Sequence, residues 1–558
     1  MQPSYDFLII GSGFGGSVMA CRLAQAQRDA GRPVSVCVLE RGRRYHRREF
    51  PRAPYAFKDW WWQHGGRGGW TGLIDFCDLG DISVGMAAGV GGTSLIYLDV
   101  QIDAFDSTWD VIGPEGRRRW PESVDWRQEM PRYYRRIKDV LNPTPVPNPP
   151  LKIRAMKEAA RAIGEEDRFR LLDVAVYWGK PGVVDPDPYD RGGPPQTGCD
   201  YCGECYIGCN SHSKNTMDLT YLWLAQKAGA EVHSLHNVTG IEPNDPDHPR
   251  RPGGYTVHFD DLRWGMSGSV SADRLIVSAG SVHSTELLLR SKYGYQRHGK
   301  HHAPTLPELS DMLGRYFSGN GDFGAIAFET NRAVHPMDGP TITGVLDYRD
   351  KNDGRGFLIE EGGFPDIIRS WLRRIPGGLS LGTGILRRNR GSVLGDDKHE
   401  WIKAIAREFD FDASRDALWL LVMGGDEADG ILSVDEKGHL QAEWDTETNM
   451  PFFREIEQTL RDLFQEPPPG IDGNIFLNPT WTTRKHLITV HPLGGCPMGE
   501  SPETGVVSPT GEVHNYPGLY VMDGSVVPSA LGANPSKTIG ALAERAAEKL
   551  IENLHQQS

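Results

Sequence analysis

The stretch YDFLIIGSGFGGSVMACRLAQAQ, Tyr5 to Gln27, decides how this chain folds. Phe7 to Ile10 read as a buried strand, Gly11-x-Gly13-x-x-Gly16 as a tight turn, and the residues beyond as a helix with Val18, Cys21 and Leu23 on one side. Glycines in such a turn let backbone N–H groups approach a pyrophosphate at the positive end of the helix. The triplet alone is a weak signal, and its surroundings strengthen it. A second strand, PVSVCVLERG from Pro33 to Gly42, ends in Glu40, where a carboxylate accepts hydrogen bonds from ribose hydroxyls. Strand, turn, helix and acidic residue in this order predict an α/β fold with a Rossmann-like unit for an adenine dinucleotide, NAD or FAD.

Composition narrows the classes. A chain of 558 residues buries a large core, and its 39% hydrophobic and 24% charged residues are those of an ordinary globular protein. No run of about 18 apolar residues is present, so no transmembrane segment is expected. A net charge of −14 without a large basic block opposes nucleic-acid binding. The N-terminus MQPSYDFLII enters a strand pattern with no secretion signal, which predicts a cytoplasmic protein.

Further motifs follow: a second glycine-rich loop, GVGGTSLIY (Gly89–Tyr97); a strand, small-residue turn and helix, LIVSAGSVHSTELLLRS (Leu275–Ser291); then VHPLGGCPMG (Val490–Gly499) and GLYVMDGSVVPSALGANPSKTIGALAERAAEKL (Gly518–Leu550). Together these resemble the glucose–methanol–choline (GMC) oxidoreductases, in particular the cholesterol oxidase-like branch, from the first strand to the last helix. The resemblance implies FAD rather than NAD. It implies that Gly11, Gly13, Gly16 and Glu40 hold the ADP half, that Gly91, Gly92 and Ser94 lie along the pyrophosphate and flavin, that the backbone of Val238 meets the adenine, and that Asp523 lies near the ribityl and phosphate chain. The loop after Ser94 departs from the pattern: Tyr97-Leu98-Asp99 stands where cholesterol oxidases usually carry Asn-Gly-Gly.

Oxidising an alcohol by flavin moves a hydride from carbon to N5, and the hydroxyl proton needs a base with a near-neutral pKa, a role that suits histidine. His491 and Asn534 match the family's catalytic pair, His491 to receive or orient the proton and Asn534 to hydrogen-bond the substrate oxygen. The plainer alternatives are a structural histidine and a helix N-cap, since Pro535 follows at a first helical position. A helix beginning at Pro535 would also aim its positive end at a reduced flavin. Glu360, in IEEGGFP, resembles the cholesterol oxidase segment whose glutamate is the base in steroid double-bond isomerisation; the neighbouring Glu361 leaves the register open, and a solvated acidic turn is the alternative.

GCDYCGECYIGCN, Gly198–Asn210, gathers Cys199, Cys202, Cys205 and Cys209 out of eight cysteines. C-x2-C-x2-C-x3-C matches the iron–sulfur run of bacterial ferredoxins except that Asn210 replaces the usual proline. Zinc sites more often join two separated pairs. An iron–sulfur cluster, structural thiols and a disulfide stay open. The resemblance adds that some GMC glucose dehydrogenases carry a three-iron cluster on a cysteine-rich segment. A cluster implies a protein or quinone acceptor; without one, O2 is the expected acceptor.

AFKDWWWQHGGRGGW, Ala56–Trp70, reads as a mobile aromatic flap or as tryptophans filling gaps against the core. The segment from Pro365 to Leu418, with RSWLRRI, HEWIKAIAREF and ALWLLVM, reads as an amphipathic helix pair, a lid, or a peripheral membrane contact. The expected organisation is an FAD-binding domain over 1–105, 196–300 and 475–558, interleaved with a substrate domain over 106–195 and 301–474 built of an antiparallel sheet plus helices. The expected function is oxidation of an alcohol on a bulky apolar small molecule such as a sterol. The alternatives are a dehydrogenase of a sugar or other polar alcohol that works through an iron–sulfur cluster, and a flavoprotein electron carrier or isomerase.

Overall fold

A computed structural model describes residues 1–26, 33–63, 69–245, 247, 253–297, 299–328, 334–363, 365, 417–464, 474–477, 481 and 485–556. Strand β1, Ser4–Ile10, is buried at every residue from Tyr5 onward, as a central strand covered on both faces must be. It runs parallel to β2, Val36–Leu39, on one side and to the strand Met266–Val277 on the other, with Ile10 opposite both Leu39 and Val277. Glu231–His233 extends this sheet beyond β2, Leu519–Val521 joins the end of Met266–Val277 in parallel, and Tyr255–Asp261 and His236–Pro243 continue it antiparallel. The parallel part is the nucleotide-binding half of a doubly wound fold.

Helix α1, Phe14–Gln25, leaves β1 through the glycine turn and packs against the last helix, Ser536–Gln556. Between them Glu544 is fully buried, accepting from Arg22 Nε and Nη2 and from the Tyr221 hydroxyl at 2.7 Å. A carboxylate taken out of water this way is tolerable only with such a full set of donors. The approach is closest at Gly15, where an added Cβ would stand 1.8 Å from the Met522 carbonyl oxygen.

The second large sheet is antiparallel throughout, in the order Asn474–Leu477, Phe323–Phe328, Leu418–Gly424, Phe357–Glu361, Gly344–Tyr348 and Phe169–Leu171. Helix Leu151–Ala162 lies against it beside Met450–Phe464. The expected boundary at 474/475 falls inside its edge strand. Helix Trp126–Leu141, placed by sequence with the substrate half, packs on Ser536–Gln556 through Arg132 and Arg136 to Glu548. A small third sheet pairs Leu487–Thr489 with Ile82–Ala87 and Ile74–Asp78, delivering the chain directly to His491.

One reading changes and another is settled between its alternatives. ALWLLVM does not continue a helix: Leu418–Gly424 is an inner strand of the antiparallel sheet, because a short apolar run has no periodicity that separates strand from helix. RSWLRRI and HEWIKAIAREF lie outside the described residues. In the tryptophan-rich stretch, Phe57–Trp60 is a helical turn, Trp60 and Trp62 are buried, and the guanidinium of Arg41 lies 4.9 Å over the Trp62 ring, so these tryptophans fill the core margin; residues 64–68 are outside the description. Among the described residues no helix is long and apolar enough to cross a membrane.

Overpacking at the α1 contact predicts that Gly15→Ala costs ~1–3 kcal/mol in denaturant unfolding and lowers bound flavin; unchanged stability in the variant would contradict the close approach.

Candidate active site

The turn after β1 and the loop of Gly89–Tyr97 are built against each other. Gly11 takes φ +95° at the strand end, and Gly16 sits over its carbonyl. Gly92 takes φ +58°, and a Cβ there would stand 2.6 Å from the Cα of Gly13, so only backbone separates the two loops. Ser12, not singled out from sequence, ties them together: its hydroxyl accepts the Gly91 N–H at 3.0 Å and donates to Glu40 at 2.6 Å. Glu40 is buried, and it also accepts the N–H groups of Ser12 and Gly42. Ser94 donates to the Gly91 carbonyl and accepts the Met217 N–H at 2.9 Å. Val238 lies half-buried on His236–Pro243, beside a β-bulge that shifts the register between it and Gly240.

Asp523 closes the cradle from the far end of the chain. One oxygen accepts the Gly280 N–H and the Ser284 hydroxyl, the other the N–H and hydroxyl of Ser525. Burial raises its pKa against those four donors. The helix Gly280–Tyr293 is thereby locked to the last parallel strand.

The resemblance to the GMC family calls for FAD, and the residues present suit it. Gly13 caps α1 without a side chain, and nothing lies within 4 Å of where its Cβ would be, which leaves the first helical N–H groups open to an anion. At the other end of the site, Asn534 Oδ1, Ser536 Oγ and Glu360 Oε1 are buried without hydrogen-bond partners among the described residues. Orphaned groups of this kind suit a polar ligand. Pro535 stands just ahead of the helix Ser536–Gln556, its carbonyl accepting the Ile539 N–H, so the helix starts one residue later than its sequence suggests.

The candidate reacting residues and their supports come from four separate segments. His491 Nδ1 is bonded to Asp322 at 2.7 Å, and the other Asp322 oxygen accepts the Thr489 hydroxyl and the Val490 N–H, each at 2.8 Å. Burial pulls the imidazole pKa down, but the charge and hydrogen bond of Asp322, aided by Glu360, outweigh it and leave the pKa raised. Asn320, two residues before Asp322, accepts the N–H groups of Leu531 and Gly532 and donates to the Ala533 carbonyl, fixing the loop that carries Asn534. Neither Asp322 nor Asn320 was legible in the sequence, because nothing local links them to His491.

Asn534 Nδ2 donates to Glu360 at 3.3 Å. Neighbours on a strand point to opposite faces, and this separates the two glutamates. Glu360 turns toward Asn534 and His491, while Glu361 accepts the N–H and hydroxyl of Thr343 and the N–H of Gly344. Burial pushes Glu360 up to about 8, against the Asn534 hydrogen bond and the His491 charge. On the same face of the sheet lie Val345 and Leu421, directly opposite Glu360, with Leu358 and Met423 one pair further along. Together with Ala533 they belong to one apolar cluster.

Tyr97-Leu98-Asp99 is tied to the segment after the cysteines. Lys214 donates to the carbonyls of Tyr97 and Cys205, and its Nζ lies 3.9 Å from buried Asp99, whose carboxyl is pushed up to about 7 by burial against the pull of Lys214. Cys199, Cys202, Cys205 and Cys209 line one cavity with Val176 and Lys214. No disulfide joins any of the eight cysteines in this structure.

Two family models, both described as GMC oxidoreductase, match residues 195–317 and 389–543. A cholesterol oxidase of Mycobacterium tuberculosis strain H37Rv is 29% identical over 98% of this chain and 91% of its own. A cholesterol oxidase of Acinetobacter baumannii is 28% identical over 97% and 93%. A long-chain-alcohol oxidase of Arabidopsis thaliana is 24% identical over 63% of this chain and 46% of its own. Among solved structures, pyridoxine 4-oxidase from Mesorbium loti shares the fold with a TM-score of 0.59 at 14% identity, covering 98% of this chain and 99% of that one. A fungal aryl-alcohol oxidase does so at 0.55 and 17%, covering 99% and 100%.

Glu360 holds its proton more tightly in the folded chain than the ordinary 4.5 allows, so its stabilising contribution is complete below that pH and is lost as pH rises through about 8. Glu360→Gln therefore raises Tm relative to the parent above pH 8 and leaves it unchanged below pH 4; a difference of equal size at both ends would contradict the assignment.

Proposed function

Because the chain belongs to the GMC oxidoreductases, in the cholesterol oxidase-like branch, and acts on alcohols with FAD, we propose that its substrate is a bulky apolar alcohol of the sterol class. The observation that carries this reading is the wall around Glu360. Among the described residues Val345, Leu358, Leu421, Met423 and Ala533 form one apolar cluster about the sheet face that bears Glu360, and such apolar surroundings suit a hydrocarbon frame.

FAD, when bound, supplies the hydride acceptor. Gly11, Gly13 and Gly16 would hold its phosphates at the start of α1, with Glu40 and Val238 toward the adenosine end. Gly91, Gly92, Ser94 and Asp523 would line its middle, and Pro535 would face the flavin at the start of the last helix. His491 acts through Nε2, since Asp322 occupies Nδ1 and fixes the tautomer; it takes the hydroxyl proton as the hydride leaves carbon. Asn534 orients the substrate oxygen. Glu360, a stronger base than an ordinary carboxylate, suits removal of a proton from carbon next to the new carbonyl, which is the step of a double-bond isomerisation.

In this reading O2 takes the electrons, the named activity of the relatives being oxidation. The four-thiol cavity favours a second reading, a dehydrogenase of a sugar or other polar alcohol that passes electrons to a protein or quinone. Free clustered thiols in either case suit a reducing compartment, the cytoplasm.

Anaerobic mixing with a 3β-hydroxysterol bleaches the flavin of the parent enzyme, whereas a hexose does not; the reverse result favours the second reading. An electron carrier or isomerase is left unbleached by any alcohol. His491→Ala keeps the flavin absorption and loses about 10²–10⁴-fold in kcat; full turnover in that variant would sink the assignment of the base.

A further inference from the structure

We infer that Asp75, Cys77 and His283 form a binding site for a zinc ion, on segments separate from the four-cysteine loop. One ligand atom from each lies within 4.8 Å of the other two. Asp75 and Cys77 stand two residues apart on the strand Ile74–Asp78, so both project from one face of it. His283 reaches them from the first turn of the helix Gly280–Tyr293. Its Nε2 stands 3.0 Å from Asp75 Oδ2, it also shares a hydrogen bond with Cys77, and the Cys77 sulfur lies 3.9 Å from Asp75 Oδ1. A tetrahedral zinc at ordinary bond lengths holds such atoms roughly 3.3–3.8 Å apart, so small side-chain rotations complete the set.

Metal-bound imidazole almost always donates through its other nitrogen to an acceptor. Here Nδ1 of His283 faces Glu286 at 3.2 Å, and Glu286 is itself held by Arg290, whose Nε donates to the Gly438 carbonyl. Arg41 donates to Asp75 Oδ2 at 2.6 Å with its guanidinium over the Trp62 ring, which leaves Oδ1 on the Cys77 side. Ion pairing accounts for the two carboxylates, the imidazole and the two arginines. It does not account for a thiol within reach of both other ligand groups. A thiolate, an imidazole and a carboxylate together are a zinc donor set. With the thiol ionised, Asp75, Cys77 and Glu286 carry three negative charges against the two of Arg41 and Arg290, so the pocket draws a divalent cation.

Coordination forms bonds from zinc to one Asp75 oxygen, the Cys77 sulfur and His283 Nε2, and it releases the thiol proton and any proton on Nε2 to solvent. Asp75 is buried, whereas Cys77 and His283 are half-buried, so water reaches the fourth position. The ion would staple the strand Ile74–Asp78 to the helix Gly280–Tyr293. That strand belongs to the small sheet whose Leu487–Thr489 strand leads to His491, and the start of the helix is fixed to Asp523. The role of the ion is therefore structural, and the site rests on neither the flavin nor the substrate reading.

The test loads one equivalent of zinc into full-length protein stripped of metal with a chelator, and reads metal content, X-ray absorption and thermal unfolding. About one zinc per chain is expected, with one sulfur at about 2.3 Å and the remaining neighbours nitrogen or oxygen at about 2.0–2.2 Å, and Tm rises with zinc concentration. Cys77→Ser and His283→Ala weaken binding at least ~100-fold and abolish the rise in Tm, Glu286→Gln weakens it ~10–100-fold, and Cys202→Ser leaves it unchanged. Parent protein that retains no zinc, or whose zinc sits among several sulfurs, overturns the proposal, and so does tight binding that survives Cys77→Ser. X-ray absorption of the zinc-loaded parent decides the question even where a variant fails to fold.

Discussion

The rest of the architecture depends on the first helix being allowed to begin almost in contact with the last parallel strand. At Gly15 the backbone of α1 faces the Met522 carbonyl with no space for a side chain. One residue further, Asp523 collects four donors that fix the start of Gly280–Tyr293 and the turn at Ser525. The cofactor cradle is therefore assembled from segments at the two ends and the middle of the chain, and it cannot form before all of them meet. The buried ion pair of Arg22 and Glu544 seals the same contact from the other side of α1. It serves geometry more than stability, because removing the two charges from water offsets much of their attraction.

On this frame the antiparallel sheet stands as the opposite wall of the active site. Its Phe357–Glu361 strand turns Glu360 inward among apolar neighbours and Glu361 outward to the backbone of Thr343 and Gly344. Burial then raises both carboxyls, but only Glu360 meets the imidazole and the amide of the proposed catalytic pair. Asp322 does the converse for His491, holding it in one orientation and favouring its charged form. Both groups thus hold a proton more tightly than usual, and each feels the other's charge in the proposed site.

The cysteine loop illustrates a local pattern whose meaning is tertiary. Spacing alone allowed a cluster, idle thiols or a disulfide. Gly203 packed on Met337, Gly208 on Phe50 and two buried lysines beside Cys205 are contacts from distant segments, and they gather the four cysteines around one cavity.

The sequence by itself determined the nucleotide-binding half, because strand, glycine turn, helix and the acidic residue at Glu40 are consecutive and each glycine answers a local steric demand. The family resemblance of the motifs around His491 and Asn534 also pointed to the proposed catalytic pair. Only the tertiary structure decided that Asp322 supports His491, that Glu360 rather than Glu361 turns to Asn534, and that Ser12 links Glu40 to Gly91. It decided too that ALWLLVM is an inner strand. The reason is that these outcomes depend on which distant segment lies opposite. Strand pairing and burial set that for residues far apart in the chain, and no local spacing encodes it.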